Sequence, residues 1–354
     1  MTISVIIPIY KAEQYIRHCI EAVIDQELNA FDIECILIDD ATPDRSMEIA
    51  REVISEYHGS NISFVLLRHE ENKGPSAARN TGISAASGEF LLFLDSDDVF
   101  VENTLKTFFS YHLDYPSVDV IMGNTLWMEN QFLSNTPITG GNNAPYFIND
   151  FSTIWRLVLR RKIDRQVVNK LIRRSVILDN KLFFDENVSM YEDAIWTYSL
   201  YSHISSILIV PVITYVYENN STSLMHTSKQ HADKLFDSLI IVSDFVFRHP
   251  PMINGIVIHY SAYRLFVAHW LMMATDVKEK YHVDSNLNHT LFSIRNALLW
   301  DAVKHFRPFL ALFFLIMFVP LKSLLGLQWF RSKFYLLEKL VIRFHDGGFF
   351  LCLV

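Results

Sequence analysis

Three carboxylates fall within four positions at Asp95-Ser96-Asp97-Asp98, directly after the apolar run Phe90-Leu91-Leu92-Phe93-Leu94. Crowded carboxylates repel and raise one another's pKa unless something positive neutralises them. A divalent cation does this naturally: Mg2+ or Mn2+ takes one or two protein oxygens and keeps its other positions for water and substrate phosphates. The same residues also suit a polar turn, with Asp97 or Asp98 as N-cap of a helix over Val99–Tyr111. A second acidic pair, Asp39-Asp40, ends the apolar run Ile33–Ile38. A third, Glu192-Asp193, opens an apolar helical stretch, where the macrodipole favours acids. Asn72-Lys73-Gly74-Pro75-Ser76-Ala77-Ala78-Arg79-Asn80 sets a Lys and an Arg around a Gly-containing helix start, which suits a pyrophosphate. The plainer alternative is a turn followed by a solvated arginine. Neither a Walker loop nor a dinucleotide fingerprint is present.

The elements that must position these groups follow from periodicity. Ile3–Ile9, Ile33–Ile38, Ile62–Leu67 and Phe90–Leu94 are short apolar runs, expected as buried strands. Helices are expected over Ala12–Gln26, from Thr42 as N-cap with Pro43 in the first turn to about Tyr57, and over Pro75–Ala86. Alternation of strand and helix implies βαβ units and a parallel sheet, which puts Asp39-Asp40 and Asp95–Asp98 on the same carboxyl rim. Further along, Val118–Met122 reads as a strand, Ile154–Arg165 as a basic helix, and Ile207–Tyr217, interrupted by Pro211, as a strand or edge strand. Gly140–Tyr146 and Asn219–His226 read as loops, and 231–300 as aromatic-rich helices.

With 354 residues, half of them hydrophobic, the chain can bury a sizeable core, and global disorder is excluded. A net charge of −8 argues against a general nucleic-acid binder. The charge is uneven: residues 301–354 carry seven Lys/Arg against three acids. Pro308–Leu321 runs fourteen residues without a charge, short of the roughly 20 that a spanning helix needs. Its basic and aromatic flanks suit an anionic membrane surface, a buried or oligomer helix being the alternative. Cys19, Cys35 and Cys352 lack metal-ligand spacing and fit a reducing compartment. Met1–Tyr10 lacks a basic start and is broken by Pro8, so no signal peptide is expected there and the catalytic part is expected in the cytoplasm.

Four segments in order, Ser4-Val5-Ile6-Ile7-Pro8-Ile9-Tyr10, Ile38-Asp39-Asp40-Ala41-Thr42-Pro43-Asp44, Asn72-Lys73-Gly74 with Ala78-Arg79-Asn80-Thr81-Gly82, and Leu94-Asp95-Ser96-Asp97-Asp98, together resemble the signature of the family 2 glycosyltransferases. The likeness covers about 1–115 strongly and reaches about 225 more loosely. It implies an α/β chain of the GT-A fold, with a mixed, mostly parallel sheet flanked by helices, a Rossmann-like nucleotide-binding half and a helical C-terminal appendage. The implied domains are 1–228, divided into a nucleotide-binding half (1–115) and an acceptor-binding half (116–228), and 229–354, with a membrane-associating segment at 304–335.

The resemblance implies inverting transfer of one sugar from a nucleotide-diphosphate donor, UDP-linked first among them, to a hydroxyl of a growing glycan or lipid-linked glycan in bacterial surface polysaccharide assembly. Hexosyl and N-acetylhexosaminyl transfer are both open. It also implies Mn2+ or Mg2+, and peripheral attachment at the inner face of the cytoplasmic membrane. No nucleic-acid partner is expected, and a homo-oligomer is compatible with the apolar C-terminal tail. The donor-binding set it implies is Pro8, Ile9, Tyr10, Glu13, Asp39, Asp40, Lys73, Gly74, Arg79, Asp95, Ser96 and Asp97, with Asp40 at the base and Lys73 and Arg79 near the phosphates or sugar. Metal would sit on Asp97 and Asp98, with His226, beside Ser221 and Ser223, in a closing loop. The Glu-Asp pair following an Asn-Lys-Leu segment, here Asn169-Lys170-Leu171, makes Asp193 the general base and Glu192 a group that orients the acceptor. One departure is Ala41-Thr42 in place of the usual Gly-Ser, where Ala lacks the easy positive φ of Gly. A nucleotidyltransferase and a non-catalytic membrane-associated partner subunit are the rival readings.

Overall fold

The computed structural model describes residues 1–127, 132–134, 144–159, 162–188 and 191–218. The expectations for His226, Ser221, Ser223, the helical region 229–354 and the segment 304–335 lie outside the described residues. In chain order the elements are β1 (Thr2–Ile9), α1 (Ile16–Ile24), β2 (Asp32–Asp39), α2 (Ser46–Glu56), β3 (Ile62–Arg68), α3 (Pro75–Ala85), β4 (Phe90–Phe93), β5 (Val99–Phe100) and α4 (Thr104–Asp114). The second half holds β6 (Val120–Trp127), β7 (Phe132–Ser134), β8 (Tyr146–Ile148), α5 (Phe151–Leu159), β9 (Lys170–Arg173), α6 (Arg174–Asp179), α7 (Glu192–His203) and β10 (Ile207–Tyr217).

These strands form one mixed sheet, ordered β3-β2-β1-β4-β9-β6-β10-β5, with β7 on β6 and β8 on β10. Strands β1 to β4 are parallel, β9 runs antiparallel between β4 and β6, and β10 is parallel to β6. The continuous apolar runs of β1, β2 and β4 are buried on both faces, as expected where helices cover a parallel sheet. Helix α3 lies close on this sheet because residue 82 is Gly: a Cβ there would stand 2.3 Å from Ile6 Cγ2. Because β9 bridges them, strands β1 to β4 and strands β6 and β10 share a single core.

Several expectations change. Val99–Phe100 is a short strand rather than a helix start, and α4 begins only at Thr104, so Asp97 and Asp98 cap no helix. Thr42 is not the N-cap of α2; its Oγ1 accepts the Lys11 N–H, while Asp44 Oδ1 takes the Ser46 N–H. Helix α5 is described over Phe151–Leu159, and residues 162–165 are not helical. Strand β10 is interior rather than an edge. Pro211 is tolerated because it falls between the stretch paired with β8 (Ile207–Ile209) and the stretch paired with β5 (Tyr215–Val216), where β10 also slips register on β6. No helix among the described residues is long and apolar enough to cross a membrane.

Candidate active site

The carboxyl ends of β1, β2, β4, β6 and β10 open on one rim, and the acidic pairs lie along it. At β2, Asp40 is 3% exposed. Its Oδ1 accepts from His69 Nδ1 at 2.7 Å and from the Lys73 N–H at 2.9 Å, and Oδ2 accepts the Gly74 N–H at 2.8 Å. Gly74 holds φ +87, so the chain can turn there into Pro75 and α3. His69 Nε2 meets Thr81 Oγ1 at 2.9 Å, tying the end of β3 to α3. Asp40 therefore shapes the 72–74 loop with both of its oxygens. Asp39 is also buried, accepting the Thr42 N–H at 2.9 Å. Ala41 adopts φ +51 and Lys11 φ +53, so the turn keeps the left-handed shape even without Gly. Pro8 is half-buried, Ile9 lies in the core, and Tyr10 is exposed with Lys11 Nζ over its ring. Glu13 is exposed, and its carboxylate accepts the Arg45 N–H at 3.2 Å. The Lys73 side chain stands exposed on the rim.

At β4, Ser96 and Asp98 are buried while Asp95 and Asp97 keep partial access. Asp98 accepts the Tyr215 hydroxyl at 2.5 Å and the Glu218 N–H at 2.9 Å, which anchors the end of β10 to the acidic turn. Burial pushes the Asp98 carboxyl well up, and Asp95 and Asp97 push it further. The turn thus carries more negative charge than its own cations offset. Among the described residues no three His, Cys, Asp or Glu side chains are arranged to hold a metal. Two carboxylates completed by substrate phosphates are the donor set that Mg2+ or Mn2+ favours, so Asp97 and Asp98 fit such an ion.

Arg79 overturns the solvated-arginine alternative: it is 5% exposed. One amino group donates to Asp95 Oδ1 at 2.8 Å and the other to Glu192 Oε1 at 2.9 Å. Its guanidinium also lies 5.4 Å from the Phe184 ring centroid.

Asp193 sits in the first turn of α7, after Tyr191 at φ +61, and its Oδ1 accepts the Ala194 N–H at 2.7 Å. Burial, then Glu192, pushes its carboxyl up to about 7, against the pull of Arg79 and Arg165. The floor beneath α7 is polar and mostly buried. Lys170, with no exposure, donates to Asp164 Oδ1, Asn169 Oδ1 and the Gln166 and Val168 carbonyls. Thr197 of α7 donates to the Arg165 carbonyl at 2.9 Å, and Tyr201 to the Asp164 carbonyl at 2.7 Å. Sequence reasoning missed Tyr215, His69 and Arg165. Tyr215 and His69 signalled only as a polar group within or beside an apolar run, which spacing alone does not distinguish from packing, and Arg165 was one of several cations in a basic stretch.

Residues 4–179, about half of the chain, match the family described as Glycosyl transferase family 2. Among relatives, the minor teichoic acid biosynthesis protein GgaA of Bacillus subtilis strain 168 is 33% identical over 199 residues, covering 54% of this chain and 42% of GgaA. TarS of Staphylococcus aureus strain Mu50, a poly(ribitol-phosphate) beta-N-acetylglucosaminyltransferase, is 25% identical over 218 residues, covering 61% of this chain and 35% of TarS. The matched regions thus span less than half the length of either relative. The crystal structure of S. aureus TarS 1-349 in complex with UDP-GlcNAc superposes with TM-score 0.60 at 17% identity, covering 89% of each chain. The mannosyltransferase PcManGT of Pyrobaculum calidifontis, in complex with GDP-Man and Mn2+, gives 0.51 at 15% identity, over 85% of this chain and 86% of that one. Both structural likenesses establish the GT-A fold.

Proposed function

The chain belongs to glycosyl transferase family 2, and from that premise we propose that it transfers one sugar, with inversion, from a UDP-sugar to a hydroxyl of a growing bacterial surface glycan. The observation that carries the reading is Asp193. A carboxylate raised toward neutrality stands at the start of α7, joined through Glu192 and Arg79 to the acidic turn after β4.

In the reaction, the Asp193 carboxylate takes the acceptor hydroxyl's proton. The freed oxygen bonds to the anomeric carbon as the bond from that carbon to the diphosphate breaks on the opposite face. The electron pair leaves with the nucleoside diphosphate. Asp97 and Asp98 would hold Mn2+ or Mg2+, which when bound would supply charge stabilisation to the leaving diphosphate. Lys73 adds an exposed cation on the same rim, and the turns at Asp39-Asp40 and Tyr10 shape the nucleoside side. The likeness to TarS with UDP-GlcNAc supports a UDP donor, with hexosyl and N-acetylhexosaminyl transfer both in scope. The teichoic acid relatives support a surface-glycan acceptor, hydroxyl-bearing and free or lipid-linked, reached from the cytoplasmic membrane face. Every carboxylate that a non-catalytic partner subunit could dispense with is present.

The test is a thermal-shift titration with UDP, GDP, CDP and TDP, each with Mn2+ and with EDTA. A ligand bound only by the folded state raises apparent stability. A Mn2+-dependent shift with UDP is expected, lost in Asp98→Ala and kept in Asp193→Asn. Absence of a shift with every nucleotide overturns the reading.

A further inference from the structure

We propose that Arg79 is a positioning residue that couples the base on α7 to the donor loop after β4, rather than a ligand of the diphosphate. This rests on the glycosyltransferase reading above and assigns a role within that site.

Helix α3 meets both sides of the site. The loop leading into it hangs from Asp40 through the Lys73 and Gly74 N–H groups, and Thr81 meets His69. One turn along, Arg79 and Asn80 both reach across to the acceptor half. Asn80 pairs with the Phe184 backbone in both directions, at 2.7 and 3.0 Å, and donates to Glu186 at 2.9 Å. Arg79 lies over the Phe184 ring, which stacks 4.9 Å from Trp196 of α7 at an interplanar angle of 4°. The approach of α7 to the sheet is therefore set from α3.

Within that clamp, the guanidinium spans two carboxylates. Its two amino groups go to Asp95 and Glu192, and its buried Nε–H has no acceptor among the described residues. With 5% of the residue exposed, little of the group is open to a diphosphate. A planar fork spanning two carboxylates fixes both in orientation, which a lysine cannot do. Asp95 opens the turn that bears Asp97 and Asp98, and Glu192 immediately precedes Asp193. A shift of the donor turn is thereby carried to the base by one rigid group. The charges facing Asp193 are Glu192 on its own helix, Arg79 from α3, Arg165 from the segment beneath, and Lys170 of β9. Arg79 is the one of these that also grips the donor turn.

The experiment uses the full chain with Mn2+ and two readouts: UDP affinity by calorimetry, and the turnover of UDP release from UDP-glucose and UDP-GlcNAc with water as acceptor. Arg79→Gln, Arg79→Lys and Glu192→Gln are compared with wild type. Misplacing a reacting group by about 1 Å costs on the order of a hundredfold. Arg79→Gln is accordingly expected to bind UDP within about threefold of wild type while turnover falls about a hundredfold, with only partial rescue by Arg79→Lys. Glu192→Gln is expected to lose turnover without losing UDP affinity, and it decides the matter if Arg79→Gln does not fold. UDP affinity falling in step with turnover in the Arg79 variants would make the residue a diphosphate ligand. Unchanged turnover with a lowered melting temperature would make it only a packing clamp. Either result overturns the proposal. Wild-type protein that neither binds UDP nor releases it would overturn the donor reading itself, and this proposal with it.

Discussion

Tyr215 donates its hydroxyl to Asp98 Oδ2 at 2.5 Å, fastening the last interior strand to the acidic turn. Both groups are buried, and the bond favours the charged form of a carboxyl that its surroundings push up. Tyr215→Phe removes the donor and little else. Groups that orient a metal ligand are worth about 10- to 100-fold in metal affinity. Mn2+ titrations at fixed UDP are expected to show a loss in that range for Tyr215→Phe, with the fold retained by circular dichroism.

Asp193 links activity to pH and stability. Its folded carboxyl stands at about 7, against roughly 3.9 for an unfolded aspartate. The folded chain holds this proton more tightly, so the site's contribution to stability falls as pH rises from the unfolded value through about 7. Asp193→Asn keeps an oxygen for the Ala194 N–H and drops the charge. Urea unfolding should show the variant more stable than wild type at pH 8, the advantage shrinking toward pH 5. Transfer should fall by about 10²- to 10⁴-fold, the usual range for a lost general base. In wild type, turnover should rise as pH increases through about 7, where the carboxylate becomes available as base.

Ala41 holds a left-handed φ of +51 at the Asp39-Asp40 turn. A left-handed residue other than Gly costs roughly 1–2 kcal/mol, partly offset by glycine's extra chain entropy of about 0.5–1 kcal/mol. Ala41→Gly should therefore gain about 0.5 kcal/mol in urea unfolding. Ala41→Val should lose more than that, because a β-branched residue resists positive φ. The two substitutions change size in opposite directions, so matching losses would contradict the backbone account.

Lys170 is a buried cation satisfied by two side chains and two carbonyls. Breaking such a pair from one side costs about 3–5 kcal/mol, whereas removing both charges costs far less. Lys170→Met should show a loss of that size in chemical denaturation, and Lys170→Met with Asp164→Leu should recover part of it.

How much was legible in the sequence differs between the halves. Strands β1 to β4 came from apolar runs, and their ends lie within one or two residues of the expected ones; both faces of β1, β2 and β4 are buried, while β3, at the end of the sheet, is only partly covered. The acidic turns on the rim followed from parallel pairing alone. The helix expected from Val99 begins only at Thr104 because Val99-Phe100 pairs with β10, a contact between distant segments that no local pattern carries. The ion pairs of Arg79, read as a phosphate-side cation or else a solvated charge, were hidden for the same reason: its partners, Asp95 and Glu192, lie on separate elements and meet only in the fold. Tyr215 sits in an apolar run where an aromatic ordinarily means packing, and only the approach of Asp98 gives its hydroxyl a purpose. Pro211 suggested an edge, but the break between β8 and β5 leaves a place for it in the interior.

The central claim is that Asp193 and the acidic turn act together on a nucleotide-sugar. It is tested most directly by UDP release from a set of UDP-sugars with Mn2+, comparing wild type, Asp193→Asn and Asp98→Asn. The account predicts that at least one donor is turned over by wild type. It further predicts that Asp193→Asn binds UDP normally but releases almost none from that donor, and that Asp98→Asn fails at binding. Turnover by Asp193→Asn at the wild-type rate would contradict the assignment of the base.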